Sequence, residues 1–180
     1  MEHIRYSVAT CQTDLPNPID RLHMHSNTTR MLEMVDSAVT GSMPFLPVRL
    51  VVFPEFAHAA PIYQTAAELQ KKLAVSIPNE HTEKLTAKAH EHTVYIQTGT
   101  MLEEDPKYPG AILNTSCLIG PDGILTKYRK VNPWIPFEVH TARTIYLATT
   151  NRSFQLLTLP SVDSAAPSAT TGFFRRFSVN

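Results

Sequence analysis

The sequence predicts an α/β protein in which helices pack on a face of a mixed sheet. Three observations predict this class. Short apolar runs rich in β-branched residues alternate with stretches of helical periodicity. A Gly-Pro-Asp-Gly turn at residues 120–123 joins two late strands into a hairpin. The chain has 180 residues, of which 43% are hydrophobic, and this is enough to bury one core.

The amino-terminal part predicts a strand, a helix and a second strand. Residues 4–10 alternate in polarity, which is typical of a strand. Apolar residues then recur at helical spacing over residues 26–41, with Asn27 or Thr28 as the expected cap and a glycine at the end. Residues 48–53 form an almost continuous apolar run, so we expect this strand to be covered on both faces.

The following segments predict two more helices and three more strands. Helical periodicity covers residues 63–75 and 80–92. Residues 94–100, 112–119 and 124–131 have the β-branched character of strands, and the last two flank the Gly-Pro-Asp-Gly turn. Strands that alternate with helices and end in a hairpin predict a mixed sheet.

The composition changes after Leu147. Residues 148–180 are rich in Thr, Ser, Ala and Pro and show no clear periodicity. Such a segment offers few apolar positions to offset the entropy of ordering it. We therefore predict one domain over residues 1–147 and a divergent, weakly ordered tail over residues 148–180.

Charge and cysteine content exclude several functional classes. Sixteen basic residues balance sixteen acidic ones, which argues against binding to nucleic acid or to a membrane surface. The apolar runs are too short to span a bilayer, and the first residues lack the apolar run of a signal peptide. Two cysteines provide no disulfide framework. We expect a soluble, cytoplasmic protein.

Glu55 is the first candidate functional residue. It follows a predicted buried strand, and the ends of such strands are where ligand-binding side chains often project. A carboxylate between Phe53 and Phe56 can have a raised pKa and act as a general base. The alternative is a glutamate that caps a helix or lies on the surface.

The basic segment from Lys127 to Lys130 is the second candidate. Strand alternation directs Lys130 and Tyr128 to one face, and Lys127 and Arg129 to the other. Lys130 can then face a cleft and stabilise a developing oxyanion while its basic neighbours stay solvated. The alternative is a solvated hairpin end without a function.

The third candidate is the loop over residues 132–138, which contains two prolines, Trp134 and Glu138. A stiff aromatic loop that ends in a carboxylate is typical of a binding site on a rigid scaffold. The alternative is a proline-rich connection with a packed tryptophan. The two His-x-His pairs, which begin at His23 and His90, lie in a predicted loop and a predicted helix, so we expect no metal site there.

The segments around these candidates resemble motifs of the carbon–nitrogen hydrolase (nitrilase) superfamily. They are Val-Phe-Pro-Glu at residues 52–55, the strand and turn over residues 114–123, and Lys-Tyr-Arg-Lys at residues 127–130. Residues 130–138 are similar to the aliphatic amidase and formamidase branch. The resemblance covers about residues 4–147 and implies an α-β-β-α sandwich that is incomplete at its carboxy end.

The resemblance also implies an activity and a set of roles. Glu55 would be the general base, Lys130 would stabilise the oxyanion, and Glu138 would position the substrate and help proton transfer. Trp134 would line the acyl pocket. The family hydrolyses a small amide or nitrile through a cysteine thiolate, without a metal or an organic cofactor, and its members associate into homo-oligomers.

One departure from the family pattern is severe. The nucleophilic cysteine of the family follows the lysine, whereas this chain has only Cys11 and Cys117, which both precede Lys130. We therefore expect the amino-terminal part of an amidase, cut or shifted in reading frame, with little or no activity. The alternative is a non-catalytic remnant that binds a full-length relative.

Overall fold

The computed structural model describes residues 5–134 and 138–141. Their eight regular elements follow the predicted order. The strands are β1 (Ser7–Thr10), β2 (Val48–Val52), β3 (Tyr95–Glu103), β4 (Leu113–Gly120) and β5 (Gly123–Arg129), and the helices are α1 (Met24–Gly41), α2 (Ala66–Leu73) and α3 (Glu80–His92).

The five strands form one mixed sheet in the order β1-β2-β3-β4-β5. The first three strands are parallel, because α1, α2 and α3 lie in the connections between them. The last three are antiparallel, and Gly123 has the positive φ of 128° that the predicted hairpin turn needs. The predicted α/β class with a mixed sheet is confirmed.

The main core lies between the sheet and two helices. It joins Met31 and Val35 of α1, Leu85 of α3, and the strand residues Val51 and Ile96. A smaller cluster joins Leu69 and Leu73 of α2 to Leu102 of β3. Within the described ranges, none of the helices has the length and apolar character that crossing a bilayer requires.

Helix α1 begins before the predicted cap residues, because these residues make tertiary contacts. The helix begins at Met24, and Asn27 and Thr28 are buried inside it rather than capping it. The Asn27 amide donates to the carbonyl oxygens of Pro16 and His58, and the Thr28 hydroxyl lies 2.8 Å from Nδ1 of His81. Both predicted cap residues therefore contact segments outside α1.

Candidate functional site

Glu55 lies in a turn directly after β2. The next residue, Phe56, has a left-handed backbone with φ of 60°, and its N–H donates to Oγ1 of Thr100 at 2.9 Å. Gly99 of β3 passes so close to this turn that a Cβ there would lie 2.0 Å from the carbonyl oxygen of Pro54. The site therefore requires glycine at this position of β3, where φ is also positive at 71°.

Lys130 directly follows β5, and its main-chain N–H donates to the carbonyl oxygen of Asn114 in β4 at 2.8 Å. As predicted, Lys127 and Arg129 point to the opposite face. The expectation that both stay solvated holds for Lys127, which is exposed, but not for Arg129, which is half-buried. Both contact the buried carboxylate of Glu103 at 2.6–2.8 Å. The basic segment therefore contributes one lysine to the candidate site and two cations to an ion-pair network around the buried Glu103.

The structure brings Glu55, Lys130 and Glu138 together. Nζ of Lys130 lies 2.7 Å from Oε1 of Glu55 and 2.6 Å from Oε2 of Glu138. Nδ2 of Asn114 donates to Oε1 of Glu55 at 2.9 Å and to Oε1 of Glu138 at 2.6 Å. One ammonium and one amide therefore bridge the same two carboxylates.

The three charged side chains differ in exposure. The Glu138 side chain is 1% exposed, that of Lys130 is 24% exposed and that of Glu55 is 44% exposed. Burial alone would raise the pKa of Glu138, but hydrogen bonds from Lys130, Asn114 and the Trp134 N–H outweigh it and lower that pKa. Burial would likewise lower the pKa of Lys130, but its bonds to Glu138 and Glu55 raise it. Both groups are thus held in their charged forms.

Trp134 takes part in the site through its backbone. Its N–H donates to Oε2 of Glu138 at 2.7 Å, and its carbonyl oxygen accepts from the Glu138 N–H at 2.8 Å. The indole is on the surface, with Trp134 65% exposed. Its predicted role in lining an acyl pocket stays a prediction, since residues 135–137 and the predicted tail over residues 148–180 lie outside the described residues.

Neither cysteine belongs to the cluster. Cys117 lies three residues after Asn114 in β4, so its side chain points to the opposite face, where it is buried in the main core. Burial, with a smaller contribution from the Glu103 carboxylate, raises the pKa of Cys117 to about 11 against the opposing charge of Lys127. Burial also raises the pKa of Cys11. Both thiols are therefore protonated at neutral pH.

A fully buried histidine follows Glu55 by three residues. The ring of His58 lies 5.5 Å from that of His81, and neither of its ring nitrogens has a hydrogen-bond partner within the described part of the chain. Burial, and then the charge of His81, lowers the pKa of His58 to about 3. His58 is therefore a neutral residue of the core.

Among residues 5–134 and 138–141, one group of side chains has the spacing of metal ligands, namely Asp36, Glu91 and His92. The ammonium of Lys88 already lies 2.9 Å from Oδ1 of Asp36 and 2.8 Å from Oε2 of Glu91. Because Lys88 contacts both carboxylates and Nε2 of His92 lies 2.6 Å from Oδ1 of Asp36, the group forms a polar network between these side chains. Of the two His-x-His pairs, only His92 takes part in it.

Sequence reasoning missed Asn114 as a member of the site. Asn114 begins the strand motif of residues 114–123, and a single asparagine in a strand carries no spacing signal. The available signal was structural, since Asn114 is a polar residue in a buried strand that pairs with the strand leading to Lys130.

Comparison with known proteins gives a matching family and similar proteins. The family model of the carbon-nitrogen hydrolase matches residues 7–165. The human omega-amidase NIT2 is 33% identical over 107 residues, which are 59% of this chain and 34% of that protein. A formamidase of Bacillus cereus (strain B4264) is 25% identical over 134 residues, which are 74% of this chain and 38% of that protein.

Solved structures share the fold. A crystal structure of an N-terminal amidase with an Asn-Glu-Ala peptide matches with a TM-score of 0.61 at 17% identity, over 76% of this chain and 30% of that one. Saccharomyces cerevisiae Nit3, a member of branch 10 of the nitrilase superfamily, matches with a TM-score of 0.55 at 22% identity. The match covers 71% of this chain and 44% of that one. The aligned part of this chain spans about a third of the length of the two curated relatives above.

Proposed function

Because the chain belongs to the carbon-nitrogen hydrolase family, we propose that Glu55, Lys130 and Glu138 form the acid–base and oxyanion-stabilising part of a site for non-peptide carbon–nitrogen bonds. The observation that carries this proposal is the single ammonium of Lys130 between two carboxylates. The omega-amidase and the formamidase among the similar proteins support a small amide as the substrate class. A nitrile is the alternative.

Glu55 is proposed as the general base. Its Oε1 is held by Lys130 and Asn114, whereas its Oε2 has no hydrogen-bond partner among residues 5–134 and 138–141. The side chain is 44% exposed, so Oε2 can reach a proton on a bound nucleophile. A base must lie within hydrogen-bond distance of that proton, and a half-exposed, anchored carboxylate satisfies this condition.

Lys130 is proposed to stabilise negative charge. Attack on an amide carbonyl places charge on the carbonyl oxygen, and a fixed cation beside it lowers the energy of that state. The raised pKa of Lys130, caused by its bonds to Glu138 and Glu55 against the effect of burial, keeps the ammonium protonated at neutral pH. Both carboxylates also restrict its position, which reduces reorganisation during the reaction.

Glu138 is proposed to position Lys130. Both of its oxygens are occupied, Oε1 by Asn114 and Oε2 by Lys130 and the Trp134 N–H. Since its side chain is almost fully buried, it is placed to orient the ammonium rather than to exchange protons with solvent. Proton transfer by Glu138 would require this network to open.

The cluster supplies a base and a cation but no thiolate. Cys117 points away from it and Cys11 is partly buried, so water is the nucleophile left to this chain. Sites from which the nucleophile has been removed keep only a small part of their rate. We therefore propose an amidase-type site with little or no turnover in the 180-residue chain.

Amide binding tests the substrate class without requiring turnover. Acetamide is titrated into the ¹⁵N-labelled chain, and the amide signals of Lys130, Trp134 and Glu138 are expected to shift together. Lys130→Met should abolish these shifts, whereas Lys107→Met, at an exposed lysine outside the cluster, should preserve them. Absence of any shift at the cluster, or equal shifts in Lys130→Met, would contradict the proposal.

A second candidate function is non-catalytic association with a longer relative. Val8 and Tyr128, on the sheet face that also carries Asn114, are each 49% exposed, and sheet faces are normally covered. Val8→Lys and Tyr128→Lys would then weaken co-elution with such a relative in size-exclusion chromatography. Unchanged co-elution would exclude this face as the interface.

A further inference from the structure

We infer that Asn114 is a positioning residue that holds the two carboxylates and the lysine of the site in one arrangement. The inference rests on the proposed function, since it assigns a task within that same site. It starts from the contacts of one residue: Asn114 touches all three charged members through its backbone or its side chain.

The side-chain contacts use a property that is specific to a primary amide. One nitrogen carries two hydrogens in a plane, so Nδ2 can donate to two acceptors at the same time. In Asn114 these acceptors are Oε1 of Glu55, at 2.9 Å, and Oε1 of Glu138, at 2.6 Å. A hydroxyl has one hydrogen and a carboxylate has none, so neither can replace this bridge.

The backbone of the same residue places the lysine. The carbonyl oxygen of Asn114 accepts the main-chain N–H of Lys130 at 2.8 Å, one step beyond the β4–β5 pairing of Thr115 with Arg129. The lysine therefore leaves the sheet at a position set by Asn114. Its ammonium then reaches the same two carboxylates from another direction.

Two like charges must be held together for this arrangement to persist. Glu55 and Glu138 repel each other when both are ionised, and one ammonium leaves the cluster with a net negative charge. The amide of Asn114 adds two hydrogen bonds to the charged forms without adding charge. It also leaves Oε2 of Glu55 as the oxygen with no partner in the described residues.

Burial of the Asn114 side-chain amide is unfavourable for its oxygen. Asn114 is 1% exposed, and its Oδ1 has no hydrogen-bond partner within the described ranges. A buried carbonyl oxygen without a donor is unfavourable. A leucine of similar shape would remove this cost, so core packing does not explain an amide here, whereas the two bonds from Nδ2 do.

Carboxyl ¹³C titration of the full chain by NMR tests the inference. Asn114→Leu removes both donors, so the titration midpoint of Glu138 should rise by about one pH unit. Asn114→Asp, which keeps the shape and adds a negative charge, should raise the midpoint further. The matched control is Asn27→Leu, since Asn27 is also buried and donates twice through Nδ2, but to the carbonyl oxygens of Pro16 and His58.

The expected result is a midpoint shift in both Asn114 variants and none in Asn27→Leu, although all three variants lose thermal stability. An unchanged Glu138 midpoint in both Asn114 variants would overturn the inference. Acetamide titration separates this outcome from failure of the proposed function. If the wild-type chain binds acetamide while the midpoint does not move, the positioning role fails alone, and if the midpoint moves without acetamide binding, only the substrate class fails.

Discussion

Nζ of Lys130 lies 2.6 Å from Oε2 of Glu138, a carboxylate whose side chain is 1% exposed. Removing one partner of a buried ion pair leaves the other charge uncompensated, which typically costs 3–5 kcal/mol. Because Asn114 and the Trp134 N–H would still donate to Glu138 without Lys130, we expect the loss of stability to fall at the lower end of that range.

Lys130→Met should therefore lower the free energy of unfolding by about 3 kcal/mol, measured by urea denaturation at pH 7. Lys107→Met, at an exposed lysine, should change it by less than about 0.5 kcal/mol. The double variant Lys130→Met with Glu138→Gln should regain part of the loss, because the buried charge is gone. A double variant less stable than Lys130→Met alone would contradict the pairing.

The contact between β3 and the turn that contains Glu55 predicts a glycine requirement. Gly99→Ala imposes a positive φ on alanine, at about 1–2 kcal/mol, and brings its Cβ against the Pro54 carbonyl, at about 1–3 kcal/mol more. Gly110→Ala is the matched control, since Gly110 has φ of 79° but nothing within 4 Å of an added Cβ. Urea denaturation of both variants separates the two costs.

Equal losses in Gly99→Ala and Gly110→Ala would mean that the close approach has no energetic effect. The amide signals of Lys130 and Glu138 provide a second readout. They should move in Gly99→Ala, because the displaced turn carries Glu55 away from Lys130, and stay in place in Gly110→Ala.

Burial of His58 predicts loss of stability in mild acid. Its folded pKa of about 3 lies below the ordinary value of 6.5, so the unfolded chain binds the extra proton first as the pH falls. The contribution of neutral His58 to the free energy of unfolding is fully present above pH 6.5. It declines below that pH by about 1.4 kcal/mol per pH unit. Burial also lowers the pKa of His81, which adds to the effect.

Urea denaturation between pH 7 and pH 5 measures this slope before most carboxyl groups titrate. His58→Leu should flatten it and be neutral or stabilising at pH 7, because a buried ring that has no hydrogen-bond partner among the described residues is replaced by an apolar side chain. His90→Gln, at an exposed histidine, should leave the slope unchanged. The same slope in wild type and His58→Leu would show that His58 is not the titrating group.

The positions of the two cysteines predict that the chain releases no measurable ammonia from formamide or acetamide. Cys117 lies on the helix-covered face of β4, with a pKa raised to about 11 chiefly by burial, and cannot supply a thiolate to Glu55 and Lys130. The ammonia assay is run on wild type and on Cys11→Ser and Cys117→Ser. Strong activity abolished by Cys117→Ser would identify a nucleophile that this geometry excludes.

The ammonia assay also distinguishes a water-based reaction from a cysteine-based one. Ammonia release that survives both cysteine substitutions but disappears in Glu55→Gln would indicate hydrolysis by water that Glu55 activates. It would contradict the proposal that the 180-residue chain has little or no turnover, while leaving Glu55 as the base.

Several features could be read from the sequence because they depend on local patterns. The hairpin follows from the Gly-Pro-Asp-Gly turn, and α3 has the predicted bounds, since Asn79 caps it and the apolar spacing is helical throughout. The predicted family resemblance is confirmed, because the family model of the carbon-nitrogen hydrolase matches residues 7–165. Predicted helix starts were less accurate. In α1 the side chains of Asn27 and Thr28 bind residues outside the helix instead of capping it, so the helix begins earlier than predicted.

The sequence by itself determined the α/β class, the order of the elements and the identity of Glu55, Lys130 and Glu138 as candidates, because each of these is encoded in neighbouring residues. Only the tertiary structure decided that Asn114 bridges both carboxylates, that Glu103 holds Lys127 and Arg129, and that Cys117 points away from the site. These contacts join residues far apart in the chain. They depend on strand register and on the close passage of β3 past the Glu55 turn, which local residue patterns do not specify.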